Sequence, residues 1–307
     1  MNFFTNLTTL IIPTRNRFHQ IEKTLSQLHE LNIKFYEIII IDSSDQEIKS
    51  RVYSLLKRYK FIIYDSIPST SKQRNIGIDN RSPNTKYLMF LDDDLTFDKK
   101  MFEEMNITIM KYKSFSNVVG FGFNQDTQIN KNTFIEKLKK FYLFNYFNLY
   151  PSSPGQVALS GWQSKISNEK GEDIFADWIY TSACIFKSKS LDQNRFDESF
   201  GVYCYLEDLD FSLNFTTKNK KIIISNKSKF LHKININRSG FKFGILEVKN
   251  RFKIVLKYKF SKIRFLIMTL LRSSFFFVEG IIFLKKDSFL RSLGNVIGIF
   301  RYFKFYS

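Results

Sequence analysis

Cysteine is nearly absent from this 307-residue chain: Cys184 and Cys204 are the only two. Two thiols in a chain of this size make no disulfide framework and fit a reducing compartment. The first residues carry no basic region, and the first apolar run is short, contains Thr and ends in Pro13. No signal peptide is predicted, and the cytoplasm is the expected compartment. Internal repeats are lacking, as is any low-complexity tract outside a basic tail. Acids are scarce as well, with 29 Asp and Glu against 47 Lys and Arg, a net charge of +18. The deficit is local: from Arg238 onward 15 basic residues face only Glu247, Glu279 and Asp287, a net +12 in 70 residues. The first 237 residues carry +6. A hydrophobic content of 44% excludes a disordered chain, and the length suits one large domain or two small ones.

Apolar strands and amphipathic helices alternate through the first third. "TTLIIPTRNR" (8–17) reads as a strand broken at Pro13, and Ile21, Leu25, Leu28 and Leu31 recur at helical spacing over 18–32. "EIIIID" ends a continuously apolar strand at Asp42, the pattern of a strand buried on both faces of a parallel sheet. A helix, the strand "KFIIYD", a helix over 69–80 begun by Ser and Thr, and the strand "KYLMFL" follow. The alternation predicts an α/β, Rossmann-like, doubly wound and mostly parallel sheet, with its crevice at the carboxyl ends of the strands. Residues 100–112 read as a helix, 116–123 and 178–191 as strands, 205–219 as a helix and "KKIIISN" as a last short strand, while 124–176 is irregular. The expected domains are a catalytic one over 1–237, with halves of about 1–123 and 124–237, and a basic amphipathic helical extension over 238–307.

Three carboxylates, Asp92, Asp93 and Asp94, stand together at the end of "YLMFL". They form either a solvated acidic turn or an oxygen site for a hard divalent cation, Mn²⁺ or Mg²⁺, whose remaining ligands are often substrate phosphates. Pro13, Thr14, Asp42 and Arg74 fall at the same predicted sheet edge. Lys72 and Arg74, near a helix start, suit phosphate, although an exposed basic pair reads the same way. Asp42 could accept from a base or ribose hydroxyl or cap a turn. Further on, "YLEDLDF" places Glu207 and Asp208 at a helix start, where they either cap the helix or remove a proton from an acceptor hydroxyl. His232 and Trp178 have structural readings as strand and core residues, beside functional ones as metal ligand and sugar platform. Metal-binding acids beside phosphate-binding bases describe a bound nucleoside diphosphate.

"TLIIPTRNR", "IIIIDSSDQ", "KQRNIGID", "YLMFLDDD" and "RFDESFGVYCYLEDLDFSLN", in this order, resemble the family 2 glycosyltransferases of the GT-A fold over roughly residues 8 to 240. The resemblance implies that Pro13, Thr14, Arg15 and Asp42 line the nucleotide site and that Lys72, Arg74 and Asn75 lie near nucleotide or phosphate. It implies Asp94 as the direct metal ligand, Asp92 toward ribose or metal, Asp93 in support, and His232 completing the metal site. Asp208, in preference to Glu207, is the implied base of an inverting displacement. Trp178, Asp197 and Glu198 are expected on the acceptor side. The implied donor is a nucleoside-diphosphate sugar, and the implied acceptor a glycan or lipid-linked glycan of the bacterial cell surface. "SSDQ" departs from the commoner second loop and leaves the base undetermined.

The tail carries "FLIMTLLRSSFFFVEGIIFL" (265–284), as long as a membrane span but interrupted by Arg272 and Glu279. An interfacial helix on anionic lipid accounts for both its charge and its apolar content. That places the chain peripherally at the inner face of the cytoplasmic membrane. Packing on the catalytic domain, or in a homodimer through these helices, is the alternative. A nucleotidyltransferase acting on a sugar phosphate shares the metal and nucleotide but not the "ED" and "RFDE" elements. A nucleic-acid-binding protein shares the basic charge, yet strand-end acids repel phosphate, so no nucleic acid is expected.

Overall fold

The computed structural model describes residues 4–126, 142–166, 171–232 and 240–303. Its contacts divide the chain into two compact units, 1–127 with 166–233 and 128–165 with 234–307. Sequence reading placed 124–165 with the acceptor half. Of these, residues 142–165 belong with the C-terminal helices, because Leu149, Tyr150 and Trp162 bury their side chains with Met268. The boundary expected at 237 lies outside the described residues.

In the first unit, β1 (Thr8–Thr14), β2 (Glu37–Asp42), β3 (Ile62–Asp65) and β4 (Tyr87–Leu91) form the parallel half of the sheet, in the order β3-β2-β1-β4. Helices α1 (Phe18–Glu30), α2 (Gln46–Ser54) and α3 (Thr70–Asp79) make the crossovers. The other half contains β5 (Leu95–Thr96), β6 (Val118–Asp126), β7 (Ile174–Ala176), β8 (Ala183–Lys187) and β9 (Lys221–His232). β8 joins the halves by pairing antiparallel with both β4 and β6, and β9 lies parallel to β6. The result is a GT-A-like mixed sheet. α4 (Lys99–Tyr112) and α6 (Glu207–Thr216) belong to this unit too, and a core including Leu10, Ile40, Met89, Phe102 and Ile185 fills it.

Pro13 does not break β1. It pairs with Ile41 on β2, while the ladder to β4 ends earlier at Ile11 and Phe90, so only one neighbour continues beside it. The strand expected over 178–191 is confined to Ala183–Lys187, whereas the last strand extends well past "KKIIISN" to His232. α3 sits close on β1 because residue 77 is Gly: a Cβ there would stand 2.6 Å from Ile11 Cγ2.

The second unit contains α5 (Tyr142–Tyr146), α7 (Phe241–Lys257), α8 (Lys262–Ile282) and α9 (Lys286–Phe303). Val248, Phe252, Val255, Phe265 and Ile299 form its apolar centre. α7 and α9 approach so closely that a Cβ on Gly244 would lie 2.5 Å from the Arg291 carbonyl oxygen. Among the described residues, α8 alone is long and apolar enough to cross a membrane.

Candidate functional site

The carboxyl ends of β1, β2 and β4 face one edge of the parallel half-sheet, and the charged side chains gather there. Gln73, on α3, ties two of these ends together by donating from Nε2 to the carbonyls of Thr14 and Ile41, both at 2.8 Å. Ser69 caps the helix by accepting from the Lys72 amide, which fixes where α3 begins and hence where Arg74 points.

The three aspartates separate into three environments. Asp92 accepts from Arg74 Nη2 at 2.8 Å. Asp93 turns inward, accepting from Thr14 Oγ1 at 2.6 Å and Arg17 Nη1 at 2.9 Å. Burial pushes the Asp93 carboxyl up to about 6, against the opposing pull of Thr14 and Arg17. Asp94 accepts from Arg17 Nη1 at 2.8 Å through Oδ2, and its Oδ1 lies 3.2 Å from His232 Nε2. Burial raises its carboxyl, but His232 and Arg17 outweigh that and hold it below the usual range.

The pairing with His232 follows from strand register. β5 comes immediately after the triplet, and Leu95 is opposite His232 in the antiparallel β5–β9 ladder. One residue before Leu95, Asp94 therefore meets the imidazole.

Glu207 and Asp208 begin α6, where three acids in the first turn suit the positive end of the helix. Leu206, held left-handed at φ 70°, turns the chain sharply into it. Glu207 is buried, bound to Arg74 Nη1 and, at 3.0 Å, to Thr181 Oγ1. Burial pushes its carboxyl up to about 7, with Arg74 opposing. Arg74 is itself buried, and the two carboxylates it bridges keep its guanidinium protonated. Asp208 is half-buried beside this cluster.

The other sequence-predicted residues divide. Asp42 is fully buried at the end of β2; its Oδ1 accepts from the Ser44 amide at 2.8 Å, and its buried Oδ2 has no hydrogen-bond partner. Pro13 and Thr14 lie at the end of β1, Arg15 is exposed and Lys72 half-buried. Asn75 braces the segment that carries Phe196 and Glu198, exchanging hydrogen bonds with the Phe196 backbone and donating to Glu198 Oε1 at 2.9 Å. Asp197 caps the short turn Glu198–Phe200 by accepting from the Ser199 amide. Trp178 is 3% exposed and packs edge-on against Tyr180, so its ring offers no open face to a sugar. That corrects its assignment as a platform. Arg74, expected at phosphate, is engaged by Asp92 and Glu207. Arg17 was missed: of the two arginines in "TRNR", the second reaches the acids, because positive-φ Asn16 redirects the chain between them.

The donor set fits a divalent cation. Asp94 Oδ1 is buried and faces the His232 Nε2 at 3.2 Å, so a carboxylate oxygen and an imidazole nitrogen, both suitable ligands, stand side by side. Among the described residues no group of three or more His, Cys, Asp or Glu surrounds one point. One carboxylate and one imidazole thus leave places for substrate phosphates, as Mg²⁺ sites commonly do.

A model of the family "Glycosyl transferase family 2" matches residues 9–167, just over half of the chain. The chain belongs to that family. No curated protein sequence matches it significantly. Among solved structures, GalNAc-T7 with UDP, GalNAc and Mn²⁺ is similar with a TM-score of 0.52 and 13% identity, over 82% of this chain and 49% of that one. TarS of S. aureus gives 0.52 and 14%, over 89% and 43%. The mannosyltransferase PcManGT from Pyrobaculum calidifontis, in complex with GDP-Man and Mn²⁺, gives 0.54 and 12%, over 96% and 75%. This family 2 chain spans less than half the length of GalNAc-T7 and TarS, and at such identities the likeness is one of fold.

Proposed function

We propose that this family 2 chain is an inverting, divalent-cation-dependent glycosyltransferase. It moves a sugar from a nucleoside-diphosphate sugar to a hydroxyl of a growing surface glycan or lipid-linked glycan. The observation that carries the reading is the Arg74 bridge: one buried guanidinium binds Asp92 on the triplet side and Glu207 on the helix side, joining both acidic groups. The Mn²⁺ and nucleotide bound in GalNAc-T7 and PcManGT support the donor class.

Asp42, with its unsatisfied buried oxygen, accepts from a hydroxyl or ring nitrogen of the donor nucleoside. Asp94 and His232 would hold the cation, whose chemistry when bound is to neutralise charge on the departing diphosphate. Arg17 sets the Asp93 and Asp94 carboxylates, and Asp93, buried, fixes the loop. Asp208 takes the proton from the acceptor hydroxyl as that oxygen attacks the anomeric carbon, and the bond from that carbon to the diphosphate oxygen breaks with its electron pair leaving on the diphosphate. Glu207, bound by Arg74 and Thr181, acts as a positioning residue, and the half-buried Asp208 beside it is the base. Screening nucleotide sugars for Mn²⁺- or Mg²⁺-dependent turnover tests the reading. It fails if no donor is turned over with either ion, or if turnover is unaffected by chelator.

A further inference from the structure

The net charge of +18 is confined almost entirely to one structural unit. Residues 128–165 and 234–307 contain 20 Lys and Arg against 4 acids, a net +16, which leaves +2 for the whole sheet-containing unit.

The same unit exposes a long uncharged face. On α8, Ile263, Ile267, Leu270, Phe277 and Ile281 recur at spacings of three, four or seven and are all more than a third exposed. They make a stripe about 27 Å long at 1.5 Å per residue. Arg272 and Glu279, which interrupt the apolar run in sequence, are off this stripe. Arg272 turns inward, its guanidinium 4.1 Å from the Trp162 ring centroid, while Glu279 is held by Lys285 at 2.8 Å and Ser288. Leu293, Ile297 and Phe300 add an exposed apolar row on the neighbouring α9. The turn between the helices presents Phe283 and Leu284, the latter 88% exposed, directly before Lys285 and Lys286. Lys262 stands exposed at the opposite end of α8.

We infer that this α8–α9 face docks peripherally on an anionic lipid bilayer, its apolar stripe entering the headgroup boundary while the lysines at both ends meet lipid phosphates. Exposed apolar area of this extent marks an interaction surface. Charge decides the occupant. Two copies meeting on this face would oppose cation to cation, since of the three acids in α7–α9 Glu247 is buried, Glu279 is paired with Lys285, and Asp287 alone is exposed, directly beside Lys285 and Lys286. Spanning is disfavoured because the inner face of α8 carries Arg272 into a polar cluster with Glu247. An anionic interface satisfies both the stripe and the charge.

The test is co-sedimentation of the full chain with vesicles of phosphatidylcholine alone, or containing about 30 mol% phosphatidylglycerol. Pelleting with the anionic vesicles, release by high salt, and a loss of at least about tenfold in Ile267→Asp and Ile281→Asp are expected. Ile107→Asp, on exposed α4 of the other unit, should bind as wild type, and circular dichroism checks that each variant is folded. Unchanged binding by both stripe variants overturns the inference. So does a lipid-free dimer that they abolish while no vesicle binds, which would make a second copy the occupant. Resistance to alkaline extraction would overturn it in favour of a span. A chain that binds vesicles but turns over no donor leaves this face intact and removes only the proposed reaction.

Discussion

Arg74 donates from Nη2 to Asp92 at 2.8 Å while its other terminal nitrogen is bound to Glu207. Removing one member of a buried ion pair strands the others, at a cost of about 3–5 kcal/mol. Arg74→Met is therefore expected to lower stability by several kcal/mol and to remove transfer. Arg74→Lys, which keeps the charge but not the fork, should recover part of the stability and little of the activity. Urea denaturation beside a turnover assay measures both. A wild-type midpoint in Arg74→Met would show that the bridge does not hold the two acidic segments together.

Asp208 and Glu207 are adjacent but differ in what they touch. Asp208→Asn should reduce kcat on the order of 10²–10⁴-fold with little change in donor KM, the size of a lost general base. Glu207→Gln keeps the shape and weakens the hold on Arg74, so its larger signature is a lower Tm. If Asp208→Asn retains transfer and Glu207→Gln loses it with an unchanged Tm, the roles are reversed.

In the helical unit, Glu247 is buried, with Arg291 Nη2 at 2.8 Å and Arg272 Nη2 at 3.9 Å. Burial would raise its carboxyl, but Arg291, Arg272 and Arg251 together lower it to about 2, from an ordinary value of 4.5. A carboxyl lowered on folding stabilises fully above its unfolded value and loses that contribution as pH falls through the folded one, here between about 4.5 and 2. The contribution is roughly 3 kcal/mol. Glu247→Gln should melt earlier than wild type near neutral pH, with the gap closing as pH falls toward 2. A gap independent of pH would contradict the ionised assignment.

Much of the parallel half was legible because its signals are local. β1, β2 and β4 are apolar runs, Ser69 announces α3, and the Asp triplet ends its strand as expected. What escaped depends on contacts distant in the chain. Neither Arg17 reaching across 77 residues to Asp94 nor Asn75 bracing Phe196 leaves a local pattern. The join of 142–165 to the C-terminal helices rests on Trp162, whose ring lies 3.7 Å from the Arg251 guanidinium and 4.1 Å from that of Arg272. His232 was read as a metal ligand only by resemblance, and the register of β5 on β9 gives that reading its geometry.

The central claim is that the Asp94–His232 pair holds a cation for a nucleoside-diphosphate sugar, and metal-dependent donor hydrolysis tests it most directly. Wild-type protein should hydrolyse at least one donor of a nucleotide-sugar panel with Mn²⁺ or Mg²⁺ and lose that activity in EDTA. Asp94→Asn should need at least about tenfold more metal or lose turnover altogether, with His232→Gln shifted in the same direction. Turnover by Asp94→Asn at the wild-type rate and wild-type metal requirement would contradict the account.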